Sequence, residues 1–294
     1  MSTSADLPAN PKFASLFGLN LGLLLISSSG VLGKPTLMDP EVTIFWRCLA
    51  AVIILGSFVK YRKLGLGIKS REDFNLILLG GVLMGVHWVT YFYSLSLSSV
   101  AIAILSLHTF PAMTALLEPL ILKTEFQFYH LFLALLVMVG IYFIVPSFDS
   151  DHDTVKAVIF GLFSALAYSL RIIFTRKVMP KYNGSSMMFF QLCVMTLMLS
   201  PFLFLKSSAQ LLSHDWPFIL ALAIFTTCIG HTLFVVNLKR YPAVTIALLS
   251  SIIPIYGIMW PLIFLGEIPK VTTLMGGTFI LASFGVEAMM SRKA

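Results

Sequence analysis

Ser98–Lys123, SSVAIAILSLHTFPAMTALLEPLILK, is long enough to cross a bilayer, yet it is not built like an anchor. Spanning takes about 20 mostly apolar residues, and this stretch supplies them. It also carries His108, Pro111, Glu118 and Pro119. A carboxylate at membrane depth costs about 2.5–3.5 kcal/mol on insertion scales. A proline withholds a backbone donor, so a neighbouring group must satisfy the freed carbonyl. A helix that only anchored the chain needs neither. The stretch therefore predicts a cavity-lining helix, set against a kinked structural helix whose Glu118 snorkels to the interface.

The whole chain has the composition of that stretch. Of 294 residues, 58% are hydrophobic and 11% charged, against about 25% charged in soluble domains. Mean hydropathy is +0.92. This is an integral membrane protein with no second, soluble domain. The net charge of +7 is spread over short loops rather than one basic face, which excludes a nucleic-acid partner and leaves the bilayer. Cys48, Cys193 and Cys228 all fall in apolar runs without metal-ligand spacing, and read as small hydrophobes. Phe13–Gly33 is too long for a signal-peptide core and reads as a retained helix.

Ten apolar runs are expected to span: Phe13–Gly33, Glu41–Val59, Phe74–Leu95, Ser98–Leu122, Gln127–Val145, Ala157–Val178, Ser185–Leu205, Trp216–Leu238, Pro242–Leu265 and Val271–Met290. With the N-terminus inside, fourteen basic residues lie on the inner side and four on the outer. That bias predicts both termini in the cytoplasm. Arg47 and Arg171 lie within runs. The acidic loop Asp149–Asp153 falls outside and reads as solvated.

The two halves resemble each other. AIAI at Ala101–Ile104 matches AVTI at Ala243–Ile246, and EPLILKTE ending at Glu125 matches WPLIFLGE ending at Glu267. Pro119 then faces Pro261, while His87 in GVHW faces His231 in IGHT after a two-residue shift. Five helices per half is odd, so the second copy enters the membrane inverted. Inverted repeats belong to secondary transporters, with the site at the repeat interface near the midplane. The predicted fold is all-α, ten transmembrane helices in two inverted repeats, residues 13–145 and 156–290.

The candidate cavity residues are His87, Trp88, Tyr91, His108, His231, Asn20 and Tyr168. Imidazole relays protons or meets anions, although a membrane histidine bonded to a helix backbone serves structure alone. Glu118 sits five residues before Lys123 and Arg171 five before Arg176, the first basic residues at the inner side, which places both about 7–8 Å deep at 1.5 Å per residue. Equal depth lets them pair as a gate or a proton-coupling unit, with separate snorkelling as the alternative. Arg47, beside Trp46, reads as an interfacial anchor. Pro111, Pro119, Pro254 and Pro261 are expected helix kinks. No Walker A, HExxH, GxSxG or TVGYG-like motif occurs, which argues against an ATP-driven pump, a recognisable intramembrane enzyme and a potassium channel. No cofactor or metal is called for.

RCLAA at Arg47–Ala51, YSLSLSSVAIAIL at Tyr93–Leu105, FPAMTALLEPLILKTE ending at Glu125, PAVTIALLSSIIPIYGIMWPLIFLGE ending at Glu267 and GGTFILASFGV at Gly276–Val286 together resemble the EamA family of the drug/metabolite transporter superfamily. The resemblance covers nearly the whole chain. It implies a ten-helix inverted-repeat fold, a central cavity, alternating access, peripheral fifth and tenth helices, and export of an amino acid or related metabolite from a bacterial inner membrane. Glu118 departs from the small or apolar residue more usual before Pro119. An ion-independent facilitator, a non-transporting intramembrane enzyme or an assembly protein remains the alternative, and a homodimer stays open.

Overall fold

The computed structural model describes residues 11–123, 126, 128–144, 152–205, 211–238, 250 and 252–290. Asp149, Asp151, Glu125, the start of the ninth run and the basic residues beyond Met290 fall outside them. Among the described residues the chain is all-helical. Span one is α1 (Pro11–Ser27) and α2 (Ser29–Gly33); span two is α3 (Pro40–Tyr61); span three is α4 (Arg71–Leu97). Span four is α5 (Val100–Leu107) and α6 (Phe110–Leu122), and span five is α7 (Tyr129–Ile144). Span six is α8 (His152–Val178), and span seven is α9 (Gly184–Leu199) with α10 (Phe202–Leu205). Span eight is α11 (Leu212–Ala221), a π-helical segment (Leu222–His231) and α12 (Thr232–Leu238). α13 (Ile253–Phe264) and α14 (Val271–Met290) complete ten spans, six of them long and apolar enough to cross a membrane and four shorter.

Local signals set the helix ends. Ser70 accepts from the Asp73 N–H at the start of α4, and Ser99 accepts from Ile102 at the start of α5, each satisfying an orphan donor. Lys123 ends α6 in the left-handed conformation, φ 56°. Span four breaks at His108–Thr109, where Pro111 takes the first turn of α6 and its missing N–H costs nothing.

The direction of the spans follows from their end contacts. Lys34, after α2, donates to the Leu95 and Ser98 carbonyls at the far end of α4. At the near end of α4, Glu72 pairs with Lys177 and Asp73 with Lys181, at the end of α8. The first helix of the second repeat therefore runs opposite to the first helix of the first, which is the inversion. The face carrying Lys177 and Lys181 also carries the Lys60–Arg71 connection, and is called here the basic face.

Spans five and ten pack on each other at the edge of the bundle. A Cβ on Gly140 would stand 2.7 Å from the Gly276 carbonyl oxygen. Their outer residues, among them Phe132, Leu135, Met138 and Leu274, are exposed as lipid-facing positions should be. Deeper in, Gly161 of α8 and Gly257 of α13 close on Ser106 and Ile104 from two sides, clamping α5 at the centre. Glycine is needed there because a methyl group would overlap both side chains. α5 is thereby fixed where the two repeats meet. Cys48 is buried, Cys193 and Cys228 are half-buried, and all three are free thiols.

Candidate functional site

A cavity lies at that meeting point. It is lined by Arg47 of α3, His87, Trp88 and Tyr91 of α4, His108 and Phe110 at the break in span four, Tyr168 of α8 and His231 of the π segment. Ile26, Ser29, Ile104, Leu107 and Ile253 complete the wall, so both repeats contribute. Its empty volume is about 480 Å³. The rings close tightly on its centre, leaving unobstructed room on the order of two waters. A metabolite-sized occupant requires this conformation to open.

The aromatic walls are in contact. His87 stacks on Tyr168 at 4.4 Å between centroids, and Phe110 meets Tyr168 edge-on at 4.8 Å. Trp88 lies 5.1 Å from the His231 ring. Offset and edge-to-face arrangements at such spacings are favourable. His87 is oriented by Ser164: its Nδ1 lies 2.7 Å from the hydroxyl, which donates in turn to the His87 carbonyl at 2.8 Å. The His108 Nδ1 sits 2.9 Å from the Ile104 carbonyl oxygen, closing the last turn of α5.

Arg47 overturns its reading as an interfacial anchor. It is 1% exposed and deep in α3. Its Cζ lies 3.6 Å from the Trp88 ring centroid, a close cation–π contact. Nε donates to Thr227 at 2.8 Å and Nη2 to Thr226 at 2.7 Å. Two consecutive hydroxyls reach one guanidinium because the local helix is π: its wider turn carries both Thr226 and Thr227 towards α3. Both hydroxyls donate onwards to the Leu222 carbonyl, at 2.6 and 3.0 Å. π segments inside helices concentrate at functional sites. The signals in the sequence were the Thr226–Thr227 pair and the depth of Arg47, about 9–10 Å into its helix at 1.5 Å per residue.

The expected Glu118–Arg171 pair does not form. Glu118 bonds Arg176, and the two side chains are 12% and 36% exposed. Arg171 is fully buried and donates to Oε1 of Gln191, through Nη2 at 2.8 Å and Nε at 3.3 Å. Equal depth fixed height but not azimuth: five residues at about 100° each turn Arg176 some 140° round α8 from Arg171. The link between repeats at the basic face therefore runs through Arg176, near the end of the sixth apolar run.

Asn20 is also corrected. It lies on an exposed position of α1, whose buried face is Leu19, Leu23 and Ile26. Pro111 stands at the break in span four, and Pro254 opens α13 rather than kinking it, while Pro119 and Pro261 lie inside α6 and α13. No group of three or more His, Cys, Asp or Glu residues suited to a metal occurs among the described residues.

Comparison with known proteins agrees with this architecture. The pseudopaline exporter CntI of Pseudomonas aeruginosa is 24% identical over 248 residues, covering 84% of this chain and 85% of its own. The uncharacterized transporter YxxF of Bacillus subtilis is 21% identical over 290 residues, covering 97% and 93%. A crystal structure superposes with a TM-score of 0.71 at 14% identity, over 96% of this chain and 98% of that one, a likeness of fold. The EamA-like transporter family matches twice, over residues 14–145 and 155–286, and the chain belongs to that family.

Proposed function

We propose that the protein is a secondary exporter of a small metabolite, working by alternating access about the cavity between its repeats. The observation that carries this reading is the cavity itself, walled by both inverted repeats. In inverted-repeat transporters the substrate site lies at that interface, and one repeat rocks against the other. The likeness to CntI, an exporter of a metabolite, supports the direction. The excess of Lys and Arg on the basic face supports a cytoplasmic assignment for that face and both termini, in a bacterial inner membrane.

The ion pairs of the basic face suit a gate. Arg176–Glu118, Lys177–Glu72 and Lys181–Asp73 all join the second repeat to the first. Arg176–Glu118 and Lys177–Glu72 are partly exposed and each worth little, about 0–1 kcal/mol, so they can part readily, whereas Asp73 is buried and also accepts from Tyr182, which makes its pair with Lys181 the firmer contact.

Reconstituted protein preloaded with a candidate metabolite should show counterflow, accumulating label against no net gradient. Product formation without exchange would support an intramembrane enzyme instead. Orientation is tested by single cysteines at Lys63 and Lys156 in a cysteine-free background. An impermeant maleimide should label Lys156→Cys but not Lys63→Cys in intact cells, and the reverse would invert the topology.

A further inference from the structure

Arg47 keeps a free edge. A guanidinium carries five N–H donors. Arg47 commits one side of the fork, Nε to Thr227 and Nη2 to Thr226. Three donors remain, both on Nη1 and the second on Nη2, and one from each nitrogen forms the end-on edge that matches a carboxylate. No carboxylate meets that edge among the described residues, although Arg47 borders the cavity.

The surroundings select the charge of whatever does. Asp and Glu are absent from the residues lining the cavity. Glu41, the nearest acidic residue along α3, accepts from the Tyr93 hydroxyl at 2.6 Å through Oε1 and lies outside the cavity lining, six residues or about 9 Å along the helix from Arg47. The second buried guanidinium, Arg171, lies 5.8 Å from the Tyr168 ring centroid and adds positive potential behind the wall. An ammonium entering the cavity would meet a guanidinium and find no counter-charge. A carboxylate would meet a preorganised fork braced by two hydroxyls and an indole. Trp88, Phe110 and Tyr168 offer ring faces and edges, while His87, Tyr91, His108 and His231 add uncharged polar groups, the His231 Nδ1 among them buried without a partner among the described residues.

We infer that the cavity binds an organic anion, its carboxylate on the end-on edge of Arg47 and its apolar or aromatic body against Trp88, Phe110 and Tyr168. This names a substrate class for the transport reading and rests on that reading only for the claim that the bound anion is carried.

The test uses full-length protein in nanodiscs and three probes sharing one ring: phenylacetate, phenylacetamide and phenethylamine. Labelled phenylacetate should bind saturably, and the neutral amide and the cationic amine should compete at least about tenfold less well, as loss of a charge-assisted bidentate contact implies. Arg47→Gln should lower phenylacetate to the level of the amide. Arg47→Lys, which keeps the charge without the fork, should fall between. If Arg47→Gln does not fold, the three-probe series on the unaltered protein decides alone. Absence of saturable phenylacetate binding, equal competition by amide or amine, or an unchanged Arg47→Gln protein would each overturn the inference. Counterflow separates the two claims. Binding through Arg47 without exchange would leave the anion site and remove the transporter. Exchange of phenethylamine with no competition from phenylacetate would do the reverse.

Discussion

Arg47 and Arg171 are equally buried, and neither has a carboxylate partner among the described residues. They differ in what surrounds the rest of the fork. Arg171 is held by Gln191, whose Nε2 donates to Thr175 at 3.0 Å and packs on Gly80 of α4, and its Nη1 is buried without a partner among the described residues. Arg47 leans on an indole and two hydroxyls and turns its end to the cavity. A buried charge in a membrane is thus not a site by virtue of being there. It becomes one when its remaining donors face space rather than protein.

The contrast breaks first, and hardest, at Gln191. Gln191→Leu removes the acceptor that Arg171 uses twice and strands a charged donor, at a cost of about 2–3 kcal/mol. A clear fall in the melting temperature of the solubilised protein is expected, with recovery when Arg171→Met is added. An unchanged melting temperature would mean that Arg171 is held by something else.

Arg47→Gln should cost less in stability, about 1–2 kcal/mol, the worth of its cation–π and charged contacts. Thr226 and Thr227 are not stranded, because both keep the Leu222 carbonyl. Transport should nevertheless fall tenfold or more in counterflow. If Arg47→Gln instead lowers the melting temperature as much as Gln191→Leu while each folded molecule transports as before, the two arginines are alike and the contrast collapses.

Thr226→Val with Thr227→Val sharpens the same point at smaller amplitude. The guanidinium keeps its charge and its indole but loses the braces that aim it. The expected result is a raised KM, with a melting temperature lowered less than by Gln191→Leu because the freed Arg47 donors belong to a residue that borders the cavity. Glu118→Gln is expected to be the mildest. Its pair with Arg176 is partly exposed, so the loss is about 0–1 kcal/mol and shrinks further in high salt. A large, salt-insensitive loss would make Glu118 a coupling residue rather than one stitch of the basic face.

The architecture was legible because its signals are long. Runs of twenty apolar residues, loop charges and the Pro119–Pro261 match all average over many positions. His87, Trp88, Tyr91, His108, His231 and Tyr168 come together at one cavity because they fall on the inner faces of spans that the repeat already pairs. Azimuth was not legible. Asn20 sits one residue from Leu19, and that single step of about 100° moves it off the buried face. Arg171 and Arg176 exchanged roles for the same reason. The π segment was hidden for a different one: nothing in LAIFTTCIGH distinguishes a wide helix from a regular one until Thr226 and Thr227 are seen to share a partner.

The crossing of α7 and α14 has a consequence for genetics. The Arg171–Gln191 contact joins unlike partners, so loss of one can be compensated by loss of the other. Gly140 and Gly276 are different, because each backbone occupies the space where the other would carry a side chain. A methyl at position 140 has no remedy at position 276, where the residue is already the smallest there is, and the reverse holds too. Suppressors of Gly140→Ala should therefore arise outside the crossing, in residues that let the two helices move apart, and none should be recovered at Gly276.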